Sequence, residues 1–136
     1  MILIDTGPLA SLLTTKDRHH RDCQRKFDSV LSRAVTTVPV LTEAFYLLGE
    51  GWSGPIRLRK LVGRGLLPVH WGSANELARA FELQEKYADL PVDFADASLI
   101  AAAEALDTIR VFTLDRRDFT TYRIRRGHEL APVEIV

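Results

Sequence analysis

The chain opens on Met1-Ile2-Leu3-Ile4 and stops that apolar run with Asp5-Thr6-Gly7-Pro8. A short run without polar alternation suits a strand covered on both faces, and the turn residues after it send the chain into a helix. This is the start of an α/β fold. Asp17 predicts a cap for a helix over 18–32, with Cys23, Phe27, Val30 and Leu31 on one face. Residues 34–38 favour a strand, closed by Pro39 in the first turn of a helix over 40–49. A basic, glycine-punctuated stretch follows, with a short helix over 55–62. Residues 66–71 then read as a third strand, which Pro68 either argues against or places at a sheet edge. Ser73 and Glu76 form a capping box for a helix over 74–87. Residues 93–106 are alanine-rich and helical, 110–114 form a strand, and 133–136 the last one. Strands alternating with helices imply a parallel sheet covered on both sides.

At 136 residues, 46% hydrophobic, the chain is read as one domain spanning 1–136, large enough to fold without a disulfide or structural metal. Cys23 is the only cysteine, which excludes an internal disulfide framework and a multi-cysteine zinc cage. Asp5 interrupts the opening run before a signal-peptide core could form, and no apolar run reaches membrane-spanning length, so a soluble, cytoplasmic protein is expected. Lys plus Arg (18) balance Asp plus Glu (18), which excludes a strongly basic nucleic-acid binder by total charge. The signs are nevertheless separated. Arg57, Arg59, Lys60 and Arg64 have no acid among them, and Arg116, Arg117, Arg123, Arg125 and Arg126 face only Asp118. Either a solvated arginine surface or basic stretches beside an acidic locus would give this pattern.

Open parallel sheets gather reactive groups at the carboxyl ends of their strands and at the adjoining helix starts. Asp5 ends the first strand and Asp115 follows the 110–114 strand. Glu43 stands in the first turns of its helix, and Asp93 and Asp96 open theirs. If these strands are adjacent, the carboxylates meet at one point. Structural readings stand beside this one: Asp93 and Asp96 suit a helix N-terminus, and Asp5 a turn. Glu43, inside Val40-Leu41-Thr42-Glu43-Ala44-Phe45-Tyr46-Leu47-Leu48, is harder to explain structurally. Clustered carboxylates repel unless a cation joins them, and oxygen-only ligands suit Mg²⁺ or Mn²⁺. Zinc is disfavoured. His19 and Cys23 are spaced i, i+4 but lack a second pair, and His20, His70 and His128 are scattered.

Four stretches together resemble the PIN-domain ribonucleases, and among them the VapC-type toxins of bacterial and archaeal toxin-antitoxin pairs. They are Ile2-Leu3-Ile4-Asp5-Thr6-Gly7-Pro8, Pro39-Val40-Leu41-Thr42-Glu43-Ala44, Asp93-Phe94-Ala95-Asp96-Ala97-Ser98-Leu99-Ile100-Ala101, and Phe112-Thr113-Leu114-Asp115-Arg116-Arg117-Asp118-Phe119. The resemblance implies a PIN-like fold with a five-stranded parallel sheet flanked by helices on both faces. It implies Asp5, Glu43, Asp93, Asp96 and Asp115 as catalytic acids, with Mg²⁺ or Mn²⁺ held mainly by Asp5, Asp96 and Asp115, and Thr6 and Thr113 in support. Asp118 is read as structural, capping its helix or pairing with an arginine. The implied reaction is RNA phosphodiester hydrolysis leaving a 5′-phosphate and a 3′-hydroxyl, with Arg57, Arg59, Lys60, Arg64, Arg116 and Arg117 holding flanking phosphates. A cognate antitoxin and a homodimer are the expected protein partners, and no membrane is expected.

Other classes fit the letters less well. A haloacid-dehalogenase-like phosphatase needs a second Asp where Gly7 stands, and a receiver domain a phosphorylated Asp where Val38 and Pro39 stand. No Ser-His-Asp arrangement, P-loop or dinucleotide fingerprint is present. The alternatives kept open are a structure-selective DNA nuclease of related fold and a non-catalytic interaction module, in which Phe45, Tyr46, Leu47, Leu48 and Trp52 would line an apolar groove.

Overall fold

A computed structural model describes residues 1–50, 53–87, 89–90 and 92–136. The opening run forms β1 (Ile2–Ile4), fully buried, and the chain turns at Asp5 into α1 (Thr6–Leu12). There follow α2 (His20–Val30), β2 (Ala34–Thr37), α3 (Val38–Leu48), α4 (Ser53–Gly63), β3 (Val69–His70), α5 (Ala74–Lys86) and α6 (Phe94–Ala105). β4 (Arg110–Phe112), α7 (Arg116–Thr121), β5 (Arg123–Arg126), β6 (Glu129–Pro132) and β7 (Glu134–Ile135) complete the chain.

Five strands make one parallel sheet in the order β3-β2-β1-β4-β7, as expected. β1 is central, with Leu3 opposite Val35 on one side and Val111 on the other. The chain builds outward from β1 through β2 and β3, then returns to β4 on the far side. That reversal opens a crevice above the carboxyl ends of β1 and β4, where such sheets place their ligands. α6 explains how the core closes. Ala95, Ala97, Leu99, Ile100, Ala101, Ala102 and Ala103 are all buried, so this helix is covered nearly all round and its small side chains let α5, α3 and β2 approach closely.

Several boundaries differ from the sequence expectation, each for a local reason. α2 starts at His20 rather than 18 because the Asp17 carboxylate accepts from His19 N and Ser11 Oγ, closing a turn instead of capping the helix. α3 starts at Val38, capped by Thr37 Oγ1, with Pro39 in its first turn. The third strand shrinks to two residues because Leu66 N and Leu67 N both donate to Leu61 O at the end of α4. Ser73 caps α5 as expected, but Glu76 turns from the capping box to His70 Nε2 at 2.5 Å. The basic run 123–126 forms an antiparallel hairpin with β6, absent from the expectation, whose turn holds Gly127 at φ +60°. Among the described residues, no helix is long and apolar enough to cross a membrane.

Candidate active site and metal centre

The crevice above β1 and β4 is lined by six carboxylates: Asp5, Glu43, Asp93, Asp96, Asp115 and Asp118. Every catalytic acid expected from sequence is therefore brought to one cleft, although the chain separates the first from the last by most of its length. Three of them are there as helix caps. Asp5 Oδ1 accepts from Thr6 N at 2.7 Å, Asp93 Oδ1 from Asp96 N at 2.8 Å, and Asp115 Oδ1 from Asp118 N at 3.2 Å. Their helices, α1, α6 and α7, thus converge on the cleft by their N-termini.

The capping geometry also places the next acids. A residue three positions after a cap faces back toward the helix start. Asp96 holds that position after Asp93, and Asp118 holds it after Asp115. The structural role expected for Asp118 falls to its neighbour: Asp115 is the cap, and Asp118 faces the cleft with no arginine paired to it among the described residues. The signal is present in the letters, because Asp115-x-x-Asp118 repeats Asp93-x-x-Asp96. Carboxylate oxygens of Asp96, Asp115 and Asp118 lie within 4.8 Å of one another. The trio differs from the expected metal ligands by Asp118 in place of Asp5.

Asp5 has both oxygens engaged, since Thr113 Oγ1 donates to its Oδ2 at 2.7 Å. The same threonine oxygen accepts from Asp115 N at 3.0 Å, so Thr113 ties two of the acids together. Thr6 has the other supporting position, and its hydroxyl is buried without a hydrogen-bond partner among the described residues. Tyr122, itself buried, donates from Oη to Asp96 Oδ2 at 3.0 Å.

Electrostatically the cleft is under strain from like charge. Burial raises Asp5 to about 6 against the hydrogen bonds from Thr113 and Thr6, with Asp93 and Glu43 adding to the rise. Burial, then the charges of Asp5 and Asp93, push Asp96 up to about 8. Asp118 is raised by desolvation and by Asp115. Burial and the charge of Asp96 carry the Tyr122 phenol above its ordinary range. None of the six carboxylates has an ion-pair partner among the described residues. A hard divalent cation fits this donor set, because it neutralises an all-oxygen cluster whose carboxylates otherwise repel one another.

The expected phosphate-binding residues do not share the cleft lining. Arg116 and Arg117 are exposed on the first turn of α7, next to Asp115. Arg57, Arg59, Lys60 and Arg64 are exposed on and just after α4, and Arg57 lines a separate depression with Lys16 and Leu48. Arg123 instead donates to the carbonyls of Thr120, Thr121 and Tyr122, and Arg126 pairs with Asp107 at 2.9 Å. Of the apolar group on α3, Phe45 and Leu48 pack on the core while Tyr46 and Leu47 are exposed. Trp52 lies outside the described residues.

Residues 2–124 match the family model described as PIN domain. The chain belongs to the PIN-domain family. Ribonuclease VapC26 of Mycobacterium tuberculosis is 29% identical over 125 residues, covering 90% of this PIN-domain chain and 92% of that protein. Among solved structures, the sarcin-ricin loop cleaving toxin VapC20 of Mycobacterium tuberculosis has a TM-score of 0.79 at 21% identity, over 86% of this chain and 92% of that one. DNA-bound VapBC of Salmonella typhimurium reaches 0.67 at 18% identity, over 99% and 96% respectively. FitAB bound to an IR36 DNA fragment reaches 0.59 at 18% identity, over 85% of each chain. At these identities the solved structures speak for the fold.

Proposed function

We propose that this PIN-domain protein is a Mg²⁺- or Mn²⁺-dependent endoribonuclease, acting over residues 1–136 as one unit and serving as the toxin of a toxin-antitoxin pair. The observation that carries the reading is the cleft itself: six carboxylates, two of them buried with pKa values raised to about 6 and about 8, and no basic group paired to any among the described residues. An arrangement of this kind opposes folding stability unless a cation joins it, so its persistence is best explained by the chemistry a cation brings. The relationship to Ribonuclease VapC26 supports RNA as substrate, and the fold shared with VapBC and FitAB supports a protein antitoxin. A homodimer and a cytoplasmic location complete the reading.

A bound divalent cation would supply Lewis-acid activation of water and neutralise charge at the scissile phosphate. Asp96, Asp115 and Asp118 would hold it, with Asp5 close behind on Thr113. Glu43, reaching the cleft from α3, and Asp93 are the carboxylates left to orient the attacking water. Hydrolysis would join the water oxygen to phosphorus and break the bond from phosphorus to the 3′-oxygen, with a proton from the water passing through these carboxylates to the 3′-oxygen, leaving a 5′-phosphate and a 3′-hydroxyl. Arg116 and Arg117 on one side, and Arg57, Arg59, Lys60 and Arg64 on α4 and just after it, would hold neighbouring phosphates of the single strand.

The test is cleavage of total RNA by purified protein with Mn²⁺, with chelator, and with Asp5→Asn and Asp96→Asn variants. Cleavage is expected with Mn²⁺ only, and not from the variants. Variants as active as the parent would overturn the site assignment. Binding of a partner with no cleavage of any RNA would favour the interaction module, and cleavage confined to structured DNA the DNA nuclease.

A further inference from the structure

Asp96 is buried in the cleft, yet the only hydrogen bond its carboxylate receives from the described residues comes from Tyr122. The phenol ring is fully buried and held edge-on by two neighbours, Phe119 at 5.0 Å and Tyr87 at 5.5 Å between centroids. These contacts seat the ring with its hydroxyl on Asp96. Tyr122 also closes the C-terminal end of α7, donating from its backbone N to Asp118 O at 3.2 Å. One residue thus touches the side chain of Asp96 on α6 and the backbone of Asp118 on α7.

A carboxylate beside Asp5, Asp93 and Asp115 would rotate away from their charge if nothing held it. A single donor on Oδ2 fixes the plane of the carboxylate, and in that plane an Asp96 oxygen stands within 4.8 Å of oxygens from Asp115 and Asp118. We infer that Tyr122 is a positioning residue that holds Asp96 in ion-binding orientation and joins it to the Asp115–Asp118 turn. The inference rests on the reading of the cleft as a metal-dependent nuclease centre. A hydrogen-bond partner behind a metal ligand typically contributes about 10–100-fold in metal affinity or activity.

Tyr122→Phe keeps the ring and removes only the hydroxyl. Mn²⁺ alone, titrated by calorimetry, should bind Tyr122→Phe about 10-fold more weakly than the parent, and kcat for RNA at fixed subsaturating Mn²⁺ should fall by a similar factor with KM little changed. Tyr87→Phe serves as the contrast, because the Tyr87 hydroxyl accepts from Arg123 N and touches no acid in these interactions. That variant should lose some thermal stability and keep parental Mn²⁺ affinity. In an Asp96→Ala background, Tyr122→Phe should cost no further Mn²⁺ affinity. Parental Mn²⁺ affinity in Tyr122→Phe, or an equal loss with Asp96 already removed, would overturn the positioning role. A parent that neither binds Mn²⁺ nor cleaves RNA would instead overturn the nuclease reading itself. If Tyr122→Phe does not fold, the parent answers alone: the ¹³Cζ resonance of Tyr122 should move on Mg²⁺ addition and that of Tyr87 should not, and a Tyr122 signal unmoved while Mg²⁺ binds rejects the role.

Discussion

The two ends of α6 enclose charge in opposite ways. Near its C-terminal end, Glu104 takes a two-pronged bond from Arg79 at 2.8 and 3.0 Å and a third from Arg125 N at 2.9 Å. The pair satisfies itself, and Glu104 holds the Arg79 guanidinium more firmly in its charged form. At the N-terminal end, Asp96 has one neutral donor in Tyr122 and otherwise faces Asp5, Asp93 and Asp115. The first arrangement pins α5, α6 and β5 together. The second contributes nothing to folding that an apolar residue would not do better, which is the physical mark of a site kept for chemistry.

The largest expected effect separates the two ends most sharply. Asp96→Asn should lower kcat/KM for RNA by about 10³-fold, since charge stabilisation by a held cation is worth several kcal/mol, while thermal unfolding at pH 8 without metal stays level or rises. Loss of stability without loss of activity would reverse the comparison. Glu104→Gln should do the opposite: denaturant unfolding should show a loss of about 3 kcal/mol, with cleavage per folded molecule retained.

Proton linkage gives the next test. Asp5 and Asp96 titrate near 6 and 8 in the fold against 3.8 for a free aspartate, so between about pH 4 and 8 the folded protein binds more protons than the unfolded chain. Stability without metal should therefore fall as pH rises through that window. A melting curve should show Tm several degrees lower at pH 8 than at pH 5, with Mn²⁺ restoring the difference at pH 8. A Tm that rises over the same range would remove the like-charge strain from the cleft. The smallest effect concerns charges at neither end: replacing Arg116 and Arg117 by Ala should weaken RNA binding and flatten its log–log salt dependence by about 1.4, roughly 0.7 for each phosphate left without its arginine.

Much of this was legible in the chain. Glu43 stood out because it interrupts an apolar helix, and Asp5 because it ends a wholly apolar strand. The boundaries that moved did so where a side chain found a tertiary or turn partner stronger than its local one, as with Glu76 on His70 and Asp17 on His19. Asp118 is marked in the letters only by its repeat of the Asp93-x-x-Asp96 spacing, a weak mark because capping and ion binding call for the same residue at neighbouring positions. Tyr122 carried no signal at all. Nothing local distinguishes a tyrosine packed for its ring from one placed for its hydroxyl.

By itself, the order of apolar runs and caps determined the alternation of strands and helices and put an acid at each strand end or helix start, because hydrophobic period and capping are local properties. Only the tertiary structure decided that β4 returns beside β1, so that acids from both ends of the chain share one crevice. It alone decided which carboxylates receive donors, Thr113 for Asp5 and Tyr122 for Asp96, since burial and the field of neighbouring charges exist only once the sheet has closed.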